Sequence, residues 1–134
     1  MMEEFDKNKL IGIPFRLNRK DFFGCDCRGI AWLYYKYIKG KEYPFTDGKN
    51  IFFRNRKNDI ERMVNVIKTF ANPVSFNELQ EGDIVLVKNT GDIGALGVCI
   101  NDKQLLHMDK VVGSCLTKLR YLKDFFLIGY RPYD

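Results

Sequence analysis

The stretch Gly24-Cys25-Asp26-Cys27-Arg28-Gly29, followed without a break by Ile30-Ala31-Trp32-Leu33-Tyr34-Tyr35, constrains this chain more than any other. A tight Gly/Cys/Asp segment runs straight into an apolar helix, with Asp26 as a good N-cap residue and Gly40 as a natural C-terminal stop. Cys27 then falls in the first helical turn, where unpaired backbone N–H groups and the helix dipole favour a thiolate. The expectation is a nucleophilic cysteine, its pKa lowered, at the head of a buried central helix. Trp32 and the neighbouring tyrosines are read as core residues of that helix, and Asp26 most simply as its cap.

The rest of the chain supplies partners for this helix. Its 134 residues, 46% hydrophobic, suffice for one domain with a real core, and 1–134 is taken as a single domain. Residues 1–11 are a polar lead-in with a short helix, stopped by Pro14. Residues 41–75 read as a loop and helical insertion: a turn-rich basic stretch, then Ile60, Met63, Val64, Ile67 and Phe70 at helical spacing up to Asn72-Pro73. Strands follow at 83–88, 94–100 and 104–109, then from Cys115 to Leu119 and from Phe125 to Tyr130. Asp83 is read as fixing the turn before its strand. With a three-residue loop at 101–103, paired positions sum to 204, which sets His107 opposite Gly97 and Asp109 opposite Ala95 on one side of the sheet.

Charge and cysteine usage narrow the function. Lys+Arg 22 against Asp+Glu 17 leaves +5, with the basic residues scattered; this is a solubilising surface rather than a nucleic-acid stripe. Cys25 and Cys27 are too close for a zinc knuckle, and Cys99 and Cys115 lack a second ligand at knuckle spacing, so neither metal nor cofactor is expected. Cys99 and Cys115 are read as small buried hydrophobes in strands, reduced and unreactive. No run of eighteen apolar residues is present and the acidic start Met1-Met2-Glu3-Glu4 is no signal peptide, so a soluble, unexported chain made in the cytoplasm is expected.

The pattern Asp26-Cys27-Arg28-Gly29 before an apolar helix resembles the nucleophile motif of the NlpC family of papain-like cell-wall cysteine peptidases. The likeness continues through Gly12-Ile13-Pro14-Phe15, Leu79-Gln80-Glu81-Gly82-Asp83, the hairpin to Leu106-His107, and the closing Gly129-Tyr130-Arg131-Pro132. The resemblance implies an α+β, papain-like fold, a nucleophile-bearing helix packed on a five- to six-stranded antiparallel sheet. It also implies catalytic residues Cys27 and His107, the latter at the position that orients the family's base. Gly40-Lys41-Glu42-Tyr43-Pro44 and the insertion after it loosely match the phage-tail type.

Two positions depart from the family on the chemistry itself. The base of the family's His-(apolar)-Gly-(apolar) strand is replaced by Ala95, and a tyrosine whose hydroxyl helps hold the developing oxyanion is replaced by Phe15, a loss of about 2–4 kcal/mol by analogy. Asn18-Arg19 stands in place of a glycine pair. The expectation is an impaired or inactive NlpC-like module serving as a structural or cell-wall-binding part of a phage tail or similar assembly. Its partners would be other tail chains and peptidoglycan peptides, with no membrane or nucleic acid. The alternative is an active peptidoglycan peptide hydrolase using a Cys27–His107 dyad.

Overall fold

Asp26 ends the extended lead-in at φ −105°, ψ −168°, and its carboxylate accepts the Gly29 N–H, which satisfies one of the orphan donors of the first turn. Helix α1 (Cys27–Tyr34) therefore starts where the sequence places it. One π turn over Tyr35–Lys39 prolongs it, and Gly40 ends it in the left-handed region at φ 68°. The structure is a computed structural model that describes residues 5–46, 48, 56–88 and 96–133.

Around α1 the elements follow in chain order. A short ribbon, β1 (Lys20–Asp21) and β2 (Gly24–Cys25), precedes the helix; α2 (Arg56–Ile67) follows it. Six strands then form one sheet: β3 (Ala71–Val74), β4 (Ile84–Val87), β5 (Leu96–Cys99), β6 (Gln104–Asp109), β7 (Gly113–Lys118) and β8 (Phe126–Pro132). Their order is β3-β8-β4-β5-β6-β7, and these six strands pair antiparallel throughout. This is the α+β architecture expected from the sequence.

The alternation of side chains along each strand sorts the sheet into two layers. Ile84, Leu86, Leu96, Val98, Leu106 and Met108 pack against Ile30, Leu33 and Tyr34 of α1. Val85, Val87, Cys99 and Leu105 point the other way, into a smaller cluster with Leu119, Leu79, Leu122 and Phe126. Gly97 pairs with His107 in the expected register, the turn between them closed by Asn101, whose carboxamide oxygen accepts the N–H groups of Lys103 (2.9 Å) and Gln104 (2.8 Å).

Four local expectations change. The apolar spacing of α2 holds, with Met63 and Ile67 buried and Ile60 and Val64 partly buried on the same core, but the helix ends at Ile67 and Phe70 sits in the following turn. Ala71–Val74 then adds a strand, at the sheet edge, where the missing N–H of Pro73 costs no ladder bond. Of the 41–75 stretch, residues 47 and 49–55 lie outside the described residues. The strand expected from Cys115 begins at Gly113. Trp32 is only half-buried: its ring carries Lys20 Nζ at 4.2 Å and Lys36 Nζ at 4.9 Å, an amphipathic cover rather than core.

At the other edge, the N-terminal segment joins β7. Gly12 N–H donates to Ser114 C=O (2.8 Å) and Ser114 N–H to Ile13 C=O (2.9 Å). The buried Ser114 hydroxyl donates to the Leu10 carbonyl (2.6 Å) and accepts the Ile13 N–H (2.8 Å).

Candidate functional site

The loop ahead of α1 is built around Asp26, which does more than cap. One carboxylate oxygen accepts Gly29 N–H at 2.9 Å; the other accepts Asn18 N–H at 2.8 Å and lies 3.8 Å from the Arg28 guanidinium. Arg28, 7% exposed, in turn donates to Asn18 Oδ1 and Thr46 Oγ1, each at 2.8 Å. Asn18 takes the left-handed conformation (φ 62°) to present its N–H to Asp26. The glycine of the Asp-Cys-x-Gly pattern has a steric reason: a Cβ on Gly29 would stand 2.2 Å from the Arg19 carbonyl oxygen. Only glycine lets this loop lie against the first turn.

Cys27 occupies the head of α1 as expected, with the opposite electrostatic outcome. It is 1% exposed, and burial pushes its thiol up to about 12. The adjacent Asp26 carboxylate adds to that rise, while Arg28 and backbone hydrogen bonds oppose it. Desolvation of a fully buried thiol is worth several pKa units, more than the helix terminus offsets, so the expected lowering is reversed. Cys25 and Cys99 are likewise pushed up to about 12 by burial.

Phe15 bridges Cys25 in a parallel pairing, flanked by bonds from Cys25 N–H to Pro14 C=O (3.0 Å) and from Arg16 N–H to Cys25 C=O (2.9 Å). The segment Gly12–Phe15 thus lies beside the cysteine-bearing ribbon. Ala95 lies outside the described residues.

His107 belongs to the layer of β6 that faces away from α1, alternating with Leu106 and Met108 of the α1 layer. Its Nε2 is hydrogen-bonded to Thr117 Oγ1 at 2.6 Å and lies 3.7 Å from Cys115 Sγ. Burial lowers its pKa, against the Met108 backbone hydrogen bond and the Asp109 charge. The side-chain partners of His107 Nε2 are therefore Thr117 and Cys115 of β7, and the contacts of the Cys27 loop run to Asp26 and Arg28.

The sequence reading missed this β6–β7 cluster. Its signal was available: taking Asp109-Lys110-Val111-Val112-Gly113 as one tight turn pairs His107 with Cys115, as observed. Asp109 closes that turn by accepting Val111 and Val112 N–H at 2.7 and 3.0 Å, and Gly113 follows at φ 88°. Asp83 was read as a turn residue. It does accept Gln80 N–H (2.9 Å), but it also receives a two-pronged bond from Arg131, both prongs 2.9 Å. Tyr35, the residue directly after α1, reaches the same corner by donating to the Gly82 carbonyl.

No family model matches the chain, and no curated protein matches it at a significant level. Solved structures do. A Staphylococcus aureus subsp. aureus Mu50 protein, described as similar to a lipoprotein of the NLP/P60 family, superposes with a TM-score of 0.61 at 16% identity over 98% of this chain. The NlpC/p60 domain of the peptidoglycan hydrolase SagA superposes with a TM-score of 0.60 at 15% identity, over 90% of this chain and 88% of that domain. The fold is the NlpC/P60 fold. This chain spans 44% of the staphylococcal protein, and its NlpC/P60 resemblance at such identities is one of backbone architecture.

Proposed function

We propose that this chain is an NlpC-like module that does not hydrolyse peptidoglycan and serves as a structural or cell-wall-binding part of a phage tail or similar assembly. One observation carries the inactivity: the Cys27 thiol is buried and held up to about 12, while the only imidazole in the sequence is engaged with Thr117 and Cys115 on the far layer of the sheet. A cysteine peptidase needs a thiol that ionises near neutral pH and a base within hydrogen-bond reach of it. A positioned base is worth ~10²–10⁴ and an oxyanion donor ~10²–10³, so a chain lacking both turns over near background. The assembly role draws on the Gly40 to Pro44 element and the helix α2 that follows it.

Purified protein incubated with peptidoglycan sacculi should release no new amino groups or muropeptides, while co-sedimentation with sacculi tests the binding role. Ala95→His combined with Phe15→Tyr should raise turnover if those two positions are what the chemistry lacks. Cleavage by the unmodified chain that disappears in Cys27→Ala would overturn the reading and install the Cys27–His107 dyad in its place.

A further inference from the structure

We propose that Cys115 and His107 form a thiol–imidazole pair that exchanges with low-molecular-weight disulfides, so that Cys115, not Cys27, is the reactive thiol of this chain. The inference stands apart from the hydrolytic question, since it uses the opposite layer of the sheet and a different sulfur.

The pair is set by register. β6 and β7 place His107 directly opposite Cys115, with Thr117 two residues along on the same side of the sheet. His107 Nε2 reaches Cys115 Sγ at 3.7 Å and Thr117 Oγ1 at 2.6 Å. In the tautomer with the proton on Nδ1, Nε2 is an acceptor, and both the Thr117 hydroxyl and the Cys115 thiol lie within reach of it. The Asp109 carboxylate, fixed by the turn N–H groups of Val111 and Val112, favours the charged ring against the burial that lowers its pKa. Burial, and then the same carboxylate, raise the Cys115 thiol, so the proton leaves that sulfur through the contact with Nε2 and not by prior ionisation.

Access separates this sulfur from the other three. Cys25, Cys27 and Cys99 are 0–1% exposed, whereas Cys115 and His107 are each only partly buried. The valines at the tip of the same hairpin, Val111 and Val112, stand in solvent. A small disulfide can therefore approach Cys115 without opening the core.

The exchange balances without a further reagent. The Cys115 proton passes to His107 Nε2 as the sulfur attacks one sulfur of RS–SR; the S–S bond breaks, a Cys115–S–S–R bond forms, and the departing RS⁻ takes the proton from the ring to leave as RSH. Nε2 has one lone pair, so the Thr117 hydroxyl turns from it as the thiol donates, and Thr117 Oγ1 then accepts from the protonated Nε2 and holds the ring in place.

The test uses the full chain, folded, incubated with oxidised glutathione at neutral pH and quenched for peptide mass mapping over time. Cys115 is expected to carry the first adduct, ahead of Cys25, Cys27 and Cys99. His107→Gln, which keeps a polar side chain of similar size, should slow the adduct at Cys115 on the order of 10-fold, below the ~10²–10⁴ of an enzymatic base because the resting contact is long. Its fold is checked by circular dichroism and denaturant midpoint. Earlier modification of any of the other three cysteines in the wild-type chain would overturn the proposal, whatever the variant does. So would a folded His107→Gln protein whose Cys115 reacts at the wild-type rate.

Discussion

Two cysteines of this chain sit beside polar groups, and the structure treats them in opposite ways. At the head of α1, Cys27 is enclosed by a loop whose carboxylate, guanidinium and carboxamide bond to one another, so the local charges are spent on holding the loop to the helix. On the outer layer of the β6–β7 hairpin, Cys115 faces an imidazole nitrogen and remains half open. The contrast teaches that a helix N-terminus alone does not make a reactive thiol. Burial decides first, and the dipole acts only on what solvent still reaches.

The sharpest way to break the comparison is to remove the carboxylate that organises the first site. Asp26→Ala strips the cap, leaves the Gly29 and Asn18 N–H groups without their acceptor and removes the carboxylate 3.8 Å from the Arg28 guanidinium; a loss of about 3–4 kcal/mol is expected in urea unfolding. A loss below about 1 kcal/mol would mean that the loop network is incidental. Gly29→Ala drives a methyl group into the Arg19 carbonyl and should cost about 2–3 kcal/mol, read as a shift of the thermal midpoint.

A smaller effect appears with alkali. An unfolded thiol ionises near its ordinary value of 9.0, whereas folded Cys27 holds its proton to about 12, so the unfolded state binds fewer protons and stability falls as pH rises through that window. Cys27→Ala should flatten the fall by about 1.4 kcal/mol per pH unit in denaturant titrations between pH 9 and 11. An unchanged slope would mean that Cys27 titrates normally. At the second site the sign is reversed. The His107 pKa is depressed by burial, so an unfolded ring takes up a proton first and stability declines as pH falls below the ordinary histidine value. His107→Gln should remove that acid-side decline, the smallest of the four effects, seen in the pH dependence of the denaturant midpoint.

What could be read in the sequence was whatever depends on neighbouring residues. The Asp26 cap, the α2 spacing and the 97–107 register all follow from short-range pattern and appear as expected. The ionisation of Cys27 was not legible because it depends on how completely distant segments cover it. The strand Ala71–Val74 was hidden because Asn72-Pro73 reads as a stop, and only an edge position lets proline stay in a ladder. His107 was placed in the right register, but periodicity assigns a residue to a side without saying which side the helix covers. That knowledge comes from Leu106 and Met108 meeting α1.

The hydroxyl of Ser114 ties together parts of the chain that are far apart in synthesis. Its partners Leu10 and Ile13 precede it by 104 and 101 residues. At roughly 5–20 residues per second, about 5–20 seconds separate the emergence of the two sides of this joint. Throughout that interval Leu10 and Ile13 have no β7 to join, and the closure entropy of a loop this long is met only when the β6–β7 hairpin is in place. Completion of the sheet edge therefore waits for Ser114 to emerge, and a chain stalled before it leaves Leu10 and Ile13 without these partners.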